Sequence, residues 1–251
     1  MKHILSHTNV DLLAQLACSR VLLAFDFDGT LAPIVAARDR ADMRARTRKL
    51  LQAVCELYPC AVISGRSRKD VGARVSDARV KYVIGNHGLE PGRNIASYER
   101  EVTAATPELE RKLAALRGVE IENKRYSLAV HYRKARSKRK ARTAIEAAVR
   151  TLDQPMRMIA GKLLVNVVPE GAPHKGDALD ALRAREGADT ALYVGDDITD
   201  EDVFELDQPG RLLGIRIGRT RRSAAPYFLR DQREIDALLS KLRALRANGR
   251  S

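Results

Sequence analysis

Val21-Leu22-Leu23-Ala24-Phe25-Asp26-Phe27-Asp28-Gly29-Thr30 joins an unbroken apolar run to a pair of carboxylates. Five apolar residues without polar alternation read as a strand buried on both faces, which is the pattern of a parallel sheet covered by helices. Two carboxylates two residues apart on an extended chain point to one side. At the end of a buried strand they sit at the carboxyl edge of the sheet, where open α/β folds bind their ligands. Gly29 permits the abrupt turn that follows.

Downstream, Leu50, Leu51, Val54, Leu57 and Tyr58 mark one face of a helix. Strands are predicted over 61–63 and 80–84, separated by a short polar helix that Ser67 can cap, and again over 191–194 and 212–217. Apolar strands alternating with amphipathic helices predict an α/β fold with a doubly wound parallel-sheet core. Between about Pro91 and Ala172 the rhythm changes. A helix capped by Thr106, with Pro107 in its first turn and running to Arg117, precedes a strand, a second strand over 127–132, a helix over 138–152, and a further pair of strands ending with 163–168. Adjacent strands predict a small antiparallel sheet with helices on one side, an inserted α+β lid. The expected division is therefore 1–90 with 173–251 as the core, and 91–172 as the insert.

The 251 residues carry 45 Lys and Arg against 32 Asp and Glu, a formal net charge of +13. Segment 91–172 holds 17 basic and 9 acidic residues, so a third of the chain carries most of the excess. Such a balance favours anionic partners. With 7 Tyr, 4 Phe and no Trp, little is available for stacking on bases. The run from Arg133 to Arg142 has seven cations in ten residues, and it reads as a solvated helix start on the lid in preference to a nucleic-acid site. No stretch reaches the roughly 18 apolar residues of a membrane span. Cys18, Cys55 and Cys60 form no disulfide framework, and Cys18 and Cys55 are expected to act as small buried hydrophobes. The first twenty residues lack the apolar centre of a secretion signal. A reduced, cytoplasmic monomer is expected, with no nucleic-acid or membrane partner.

A second acidic cluster, Gly195-Asp196-Asp197-Ile198-Thr199-Asp200-Glu201, again follows an apolar strand. Clustered carboxylates suit a hard cation, although Thr199 or Asp200 could equally start the next helix. Ser64-Gly65-Arg66 follows the strand 61–63, as an anion site or simply a turn. Lys175-Gly176 opens a helix over 175–186, where a cation opposes the helix dipole unless an anion lies between. Asp26 and Asp28, Ser64, Lys175, and Asp196 with Asp200 thus fall on one sheet edge. Carboxylate nucleophile, second carboxylate, hydroxyl, cation and metal cage together suit phosphoryl transfer through an aspartyl-phosphate. No G-x-G-x-x-G follows the first strand, and neither a phosphate-binding G-x-x-x-x-G-K-[ST] loop nor a G-x-S-x-G elbow occurs.

DFDGT, the serine of SGR, the distant Lys175 and GDDITDED resemble the four motifs of the haloacid-dehalogenase-type phosphatases. DFDGTLAPI, VISGRS, GNHGLE, ENKRYSLAVHYR, KG and GDDITDED resemble, more narrowly, the trehalose-6-phosphate phosphatase family, from about Val21 to Gly218. The resemblance implies a stand-alone Mg2+-dependent phosphatase acting on a phosphorylated sugar, trehalose 6-phosphate. Asp26 would attack phosphorus, and Asp28 would protonate the leaving oxygen and then activate water. Mg2+ would be held by Asp26, the backbone carbonyl next to Asp28, and Asp196, with Asp197 and Asp200 orienting its waters. Ser64 and Lys175 would hold the phosphoryl oxygens. Glu122, Lys124, His131 and Arg133 of the lid, with Arg66 and His87 of the core, would read the sugar. From the residues alone, Glu122 and Lys124 could be a solvated strand face and His87 a turn cap. The sequence departs from the family pattern in LLVNVVPEG, where Asn166 and Val168 stand in place of an acid and a base. Asn166 can hydrogen-bond a sugar hydroxyl but supplies no charge. Alternative readings are a phosphatase of the same type acting on another sugar phosphate or a phosphoglycoside, a phosphomutase, and a basic nucleic-acid-binding protein.

Overall fold

The computed structural model describes residues 1–35, 38–92, 95–161, 163–206 and 208–248. The chain divides into two compact units, Met1–Gly88 with His174–Ser251, and Leu89–Pro173. In chain order the first unit begins with β1 (Lys2–His3), α1 (Val10–Cys18), β2 (Val21–Phe25), α2 (Ala45–Cys55), β3 (Cys60–Ile63), α3 (Arg68–Val75) and β4 (Tyr82–Ile84). The second unit holds α4 (Ile95–Leu113), β5 (Glu120–Asn123), β6 (Leu128–His131), α5 (Lys138–Arg150), β7 (Met156–Gly161) and β8 (Leu164–Pro169). The first unit resumes with α6 (Lys175–Glu186), β9 (Thr190–Gly195), α7 (Glu201–Phe204), β10 (Leu212–Ile217), β11 (Tyr227–Leu229) and α8 (Ile235–Asn248).

Among the described residues the first unit forms a seven-stranded sheet in the order β1-β11-β10-β9-β2-β3-β4, and every pairing is parallel. The apolar run of β2 is unbroken because both faces are covered. Val21, Leu23 and Phe25 pack into a core with Leu13, Leu51, Val54 and Leu239, whereas Leu22 and Ala24 pack into another with Leu179, Leu182 and Phe204. From β2 the chain moves outward through β3 to β4, then resumes on the other side of β2 with β9, β10 and β11. The strand order therefore reverses between β2 and β9, and this crevice is where doubly wound sheets place their ligands. Ser67 does cap α3, accepting from the amide of Asp70 at 3.3 Å.

The second unit is a four-stranded antiparallel sheet, β5-β6-β8-β7. Leu128, Val130, Val165 and Val167 pack on one face against Val102, Leu109 and Leu113 of α4 and Ile145 and Val149 of α5. The helix expected to start at Thr106 starts at Ile95 and ends at Leu113, with Pro107 inside it. Thr106 is not its cap; its hydroxyl donates to the Val102 carbonyl at 2.7 Å. Val102, Ala105, Leu109 and Leu113 make one apolar stripe across the proline, and burying it outweighs the roughly 3 kcal/mol that an interior proline costs. Cys18 is likewise exposed at the end of α1, and Cys60 is the buried cysteine.

Candidate active site

β2 ends at Phe25, but the ladder continues one step further, with the Asp26 amide donating to the Val194 carbonyl at 2.9 Å. The chain then turns on itself, Ala32 donating to Phe27 and Gly29 to Ala32, each at 2.8 Å. Phe27 is wholly buried in the core, so the flanking carboxylates of Asp26 and Asp28 take the opposite side. Gly29 has φ +85°, and a Cβ on it would fall 2.1 Å from Asp196 Oδ2. No other residue lets this loop approach the second acidic cluster so closely.

α6 supplies the cation. His174 caps it by accepting from the amides of Gly176 and Asp177 through Nδ1, while Asp177 accepts from the His174 amide. This fixes Lys175 in the first turn with its side chain turned inward and 2% exposed. Lys175 Nζ donates to Asp26 Oδ1 at 2.8 Å and to Asp200 Oδ1 at 2.7 Å. Burial alone would lower its pKa, but the carboxylates of Asp200 and Asp26 hold it well above the ordinary lysine range. The charge that would be unfavourable at an exposed helix start is thus neutralised by two anions.

Asp200 is fully buried, and its two oxygens accept four hydrogen bonds. Lys175 and the Tyr193 hydroxyl donate to Oδ1, and the amides of Asp196 and Asp197 donate to Oδ2. It therefore braces the loop. Arg216 braces the same loop from β10, donating to the carbonyls of Asp196 at 2.6 Å and Asp197 at 3.2 Å, and to Glu201 at 2.8 Å. Tyr193 and Arg216 escape the motif-based reading. Each has a signal nonetheless, a hydroxyl or a charge inside an otherwise apolar strand, which must find a partner when buried.

One ligand oxygen from each of Asp26, Asp196 and Asp200 lies within 4.8 Å of the others. Burial, only partly offset by Lys175, raises the Asp26 pKa to about 7. Burial followed by repulsion from Asp26 and Asp200 raises Asp196 to about 9. Asp196 Oδ1 is buried without a hydrogen-bond partner. An orphaned carboxylate oxygen among other carboxylates is the environment that a hard divalent cation satisfies. The residues present fit Mg2+.

Ser64, at the end of β3, is 1% exposed and accepts from the Arg66 amide at 3.2 Å. Register puts it beside the Asp26 loop, since Phe25 pairs with Val62 on one side and with Val194 on the other. His87 is buried on Gly65, where a Cβ would fall 2.4 Å from the imidazole Cε1, and its amide donates to the Ser64 carbonyl at 3.0 Å. Arg66 is folded inward. Its Nε and one terminal nitrogen donate to the two oxygens of Asp28, both at 2.7 Å, and the other terminal nitrogen donates to Asp70 at 2.6 Å. Although burial opposes it, Arg66 and then Arg74 hold Asp70 below the usual carboxylate range.

In the second unit, strand alternation places Glu122, Ala129, Asn166 and Ile159 in one cross-strand row on the face away from the helices. His131 meets Glu122 at 2.9 Å, and the buried Lys124 donates to Asn166 Oδ1 at 3.5 Å. Arg133 lies exposed beyond the end of β6. Of the residues expected to read the sugar, Glu122, Lys124, His131 and Asn166 thus lie together in the second unit, whereas Arg66 and His87 belong to the first.

A family model described as trehalose-phosphatase matches residues 24–233. A trehalose-phosphate phosphatase of Mycolicibacterium paratuberculosis is 34% identical over 77% of this chain and 53% of its own length, so the chain spans about half of that relative. A probable trehalose-phosphate phosphatase 3 of Oryza sativa is 29% identical, over 91% of this chain and 71% of its own. The solved C-terminal domain of a trehalose-6-phosphate phosphatase from C. albicans superposes with a TM-score of 0.73 at 21% identity, covering 94% of this chain and 97% of that one, which shows a shared fold. Among the described residues no helix is long and apolar enough to cross a membrane.

Proposed function

Because the chain belongs to the trehalose-phosphatase family, we propose that it hydrolyses trehalose 6-phosphate to trehalose and inorganic phosphate, with Mg2+, through an aspartyl-phosphate. The observation that carries this reading is the buried cluster of Asp26, Lys175 and Asp200 beside Asp196, at the point where the strand order of the sheet reverses. Lys175 engages Asp26, whose carboxylate attacks phosphorus. Its bond to phosphorus forms as the bond from phosphorus to the sugar oxygen breaks, and Asp28 gives that oxygen a proton. Asp28 then takes a proton from the water that displaces Asp26 from phosphorus, which restores the Asp26 carboxylate and the Asp28 carboxylic acid. Ser64 and Lys175 hold the phosphoryl oxygens, and His87, from the neighbouring loop, reads the sugar. Mg2+ would be held by Asp26, Asp196 and the backbone at Asp28, and would offset the repulsion between an anionic nucleophile and an anionic phosphate. Asp200 braces Asp196 through its amide, and Asp197 and Asp200 would orient waters on the ion.

Glu122, Lys124, His131, Arg133 and Asn166 bind the sugar hydroxyls in this proposal. An Asn in place of an acid favours a second substrate class, another sugar phosphate or a phosphoglycoside. Phosphate release from trehalose 6-phosphate, glucose 6-phosphate and a small aryl phosphate, with Mg2+ and with chelator, tests the reading. The expected result is Mg2+-dependent release with trehalose 6-phosphate preferred, and none from Asp26→Asn. Equal rates on the two sugar phosphates would transfer the substrate to the second class. Activity in Asp26→Asn, with deamidation excluded, would remove the nucleophile. Sequence-selective nucleic-acid binding without phosphate release would replace the reading altogether.

A further inference from the structure

We propose that Arg66 is a positioning residue for the acid–base carboxylate Asp28, and that it acts on catalysis through Asp28 without contacting the sugar. The inference rests on the phosphatase reading, in which Asp28 moves the protons.

Arg66 is 1% exposed, and its guanidinium is committed on two edges. The edge formed by Nε and one terminal nitrogen grips both oxygens of Asp28, and the remaining terminal nitrogen grips Asp70. Phe27 closes one face, with the guanidinium carbon 5.5 Å from its ring centroid. A guanidinium is planar, so anchoring one edge orients the other. The Asp70 end is itself anchored. Arg74 donates to its second oxygen at 2.9 Å, the Asp70 amide donates to Ser67, and Arg74 also binds the carbonyls of Asp39 and Ala41. A rigid chain of alternating charge thus runs from the loop at 39–41, across the start of α3, to Asp28.

The loop after β2 gives Asp28 no comparable support. Its side chain is 36% exposed, and it lies just before the turn at Gly29. A bidentate partner fixes the plane of its carboxyl group. It occupies one lone-pair direction on each oxygen and leaves the other to carry the proton in either half of the reaction.

Five proteins test this, the parent, Arg66→Ala, Arg66→Lys, Asp28→Asn, and the double variant Asp28→Asn with Arg66→Ala. The measurements are kcat on trehalose 6-phosphate, the inhibition constant for inorganic phosphate, and Tm. Arg66→Ala is expected to lower kcat by ~30- to 100-fold, as misplacement of a proton-transfer group does. It should change phosphate inhibition by less than about threefold, since the phosphoryl contacts are elsewhere. Arg66→Lys should recover little, because an ammonium cannot grip two oxygens in one plane. In the Asp28→Asn background, Arg66→Ala should cost nothing further. A weakened phosphate inhibition constant with kcat intact would show that Arg66 binds substrate and overturn the inference. A double variant slower by the product of the single effects would also overturn it. If Arg66→Ala does not fold, Asp70→Asn should give the same signature at ~3- to 10-fold, and an unchanged kcat there would overturn the inference. A parent chain that releases no phosphate from any monoester would remove the proposed function, and this inference with it. An active parent with an additive cycle would remove this inference alone.

Discussion

The two raised carboxylates make Mg2+ affinity a steep and stepped function of pH. Asp26 titrates at about 7 and Asp196 at about 9 in the cation-free protein. A divalent cation binds the ionised forms, so each proton still held must be displaced. Below about pH 7 both carboxylates are protonated, and apparent affinity should rise about 100-fold per pH unit. From about pH 7 to 9 one proton remains, and the rise should be about tenfold per unit, levelling off above that. Calorimetric titration with Mg2+, in two buffers of different ionisation enthalpy, counts the protons directly, about two near pH 6 and about one near pH 8. Stability provides a second readout. The folded pKa of Asp196 is above its unfolded value of 3.8. Its contribution is therefore fully present below about pH 4 and is lost as pH rises through about 9. Asp196→Asn should accordingly gain stability relative to the parent between about pH 5 and 9 in chelator, and saturating Mg2+ should narrow the gap. A Mg2+ affinity that stays constant from about pH 6 to 9, without proton release, would refute the reasoning.

Lys175→Met strands two buried carboxylates and should destabilise the protein by about 3–5 kcal/mol in denaturant melts, less at acidic pH, where protonation removes the charge. Arg216→Ala releases the carbonyls of Asp196 and Asp197, and calorimetry should find Mg2+ bound about 10- to 100-fold more weakly with the far-ultraviolet circular dichroism unchanged. Glu122→Ala and Lys124→Ala should each lower kcat/KM on trehalose 6-phosphate by roughly ten- to a hundred-fold while sparing a small aryl phosphate. Equal losses on both substrates would mean that these residues support the second unit and do not read the sugar.

Elements with their own periodicity were legible in the sequence. The strands at Val21–Phe25 and Cys60–Ile63 are unbroken apolar runs, those at Thr190–Gly195 and Leu212–Ile217 are mostly apolar, and α6 falls where Lys175-Gly176 announced it. The helix α4 starts earlier than Thr106-Pro107 suggests because a proline with a threonine before it is the ordinary sign of a helix start, and only burial of the stripe from Val102 to Leu113 carries the helix across it. The strands Lys2–His3, at the edge of the sheet, and Tyr227–Leu229, next to it, are too short to show a period. They exist because each adds to a sheet already formed.

The same division holds at the site. Residue types and their positions at strand ends could be read locally, since hydrophobic period and turn chemistry are properties of neighbouring residues. Which of them meet could not. Lys175 reaches Asp26 across 149 residues of chain, and Asp200 becomes a brace because Tyr193, Lys175 and two amides converge on it. Arg66 sits in a motif that pointed outward to substrate, yet lies buried between Asp28 and Asp70. A side chain's partner is set by strand order and by what the core leaves room for. An ionic group that loses its water must take whichever opposite charge the fold brings within reach, and that choice is made only when the whole sheet is assembled.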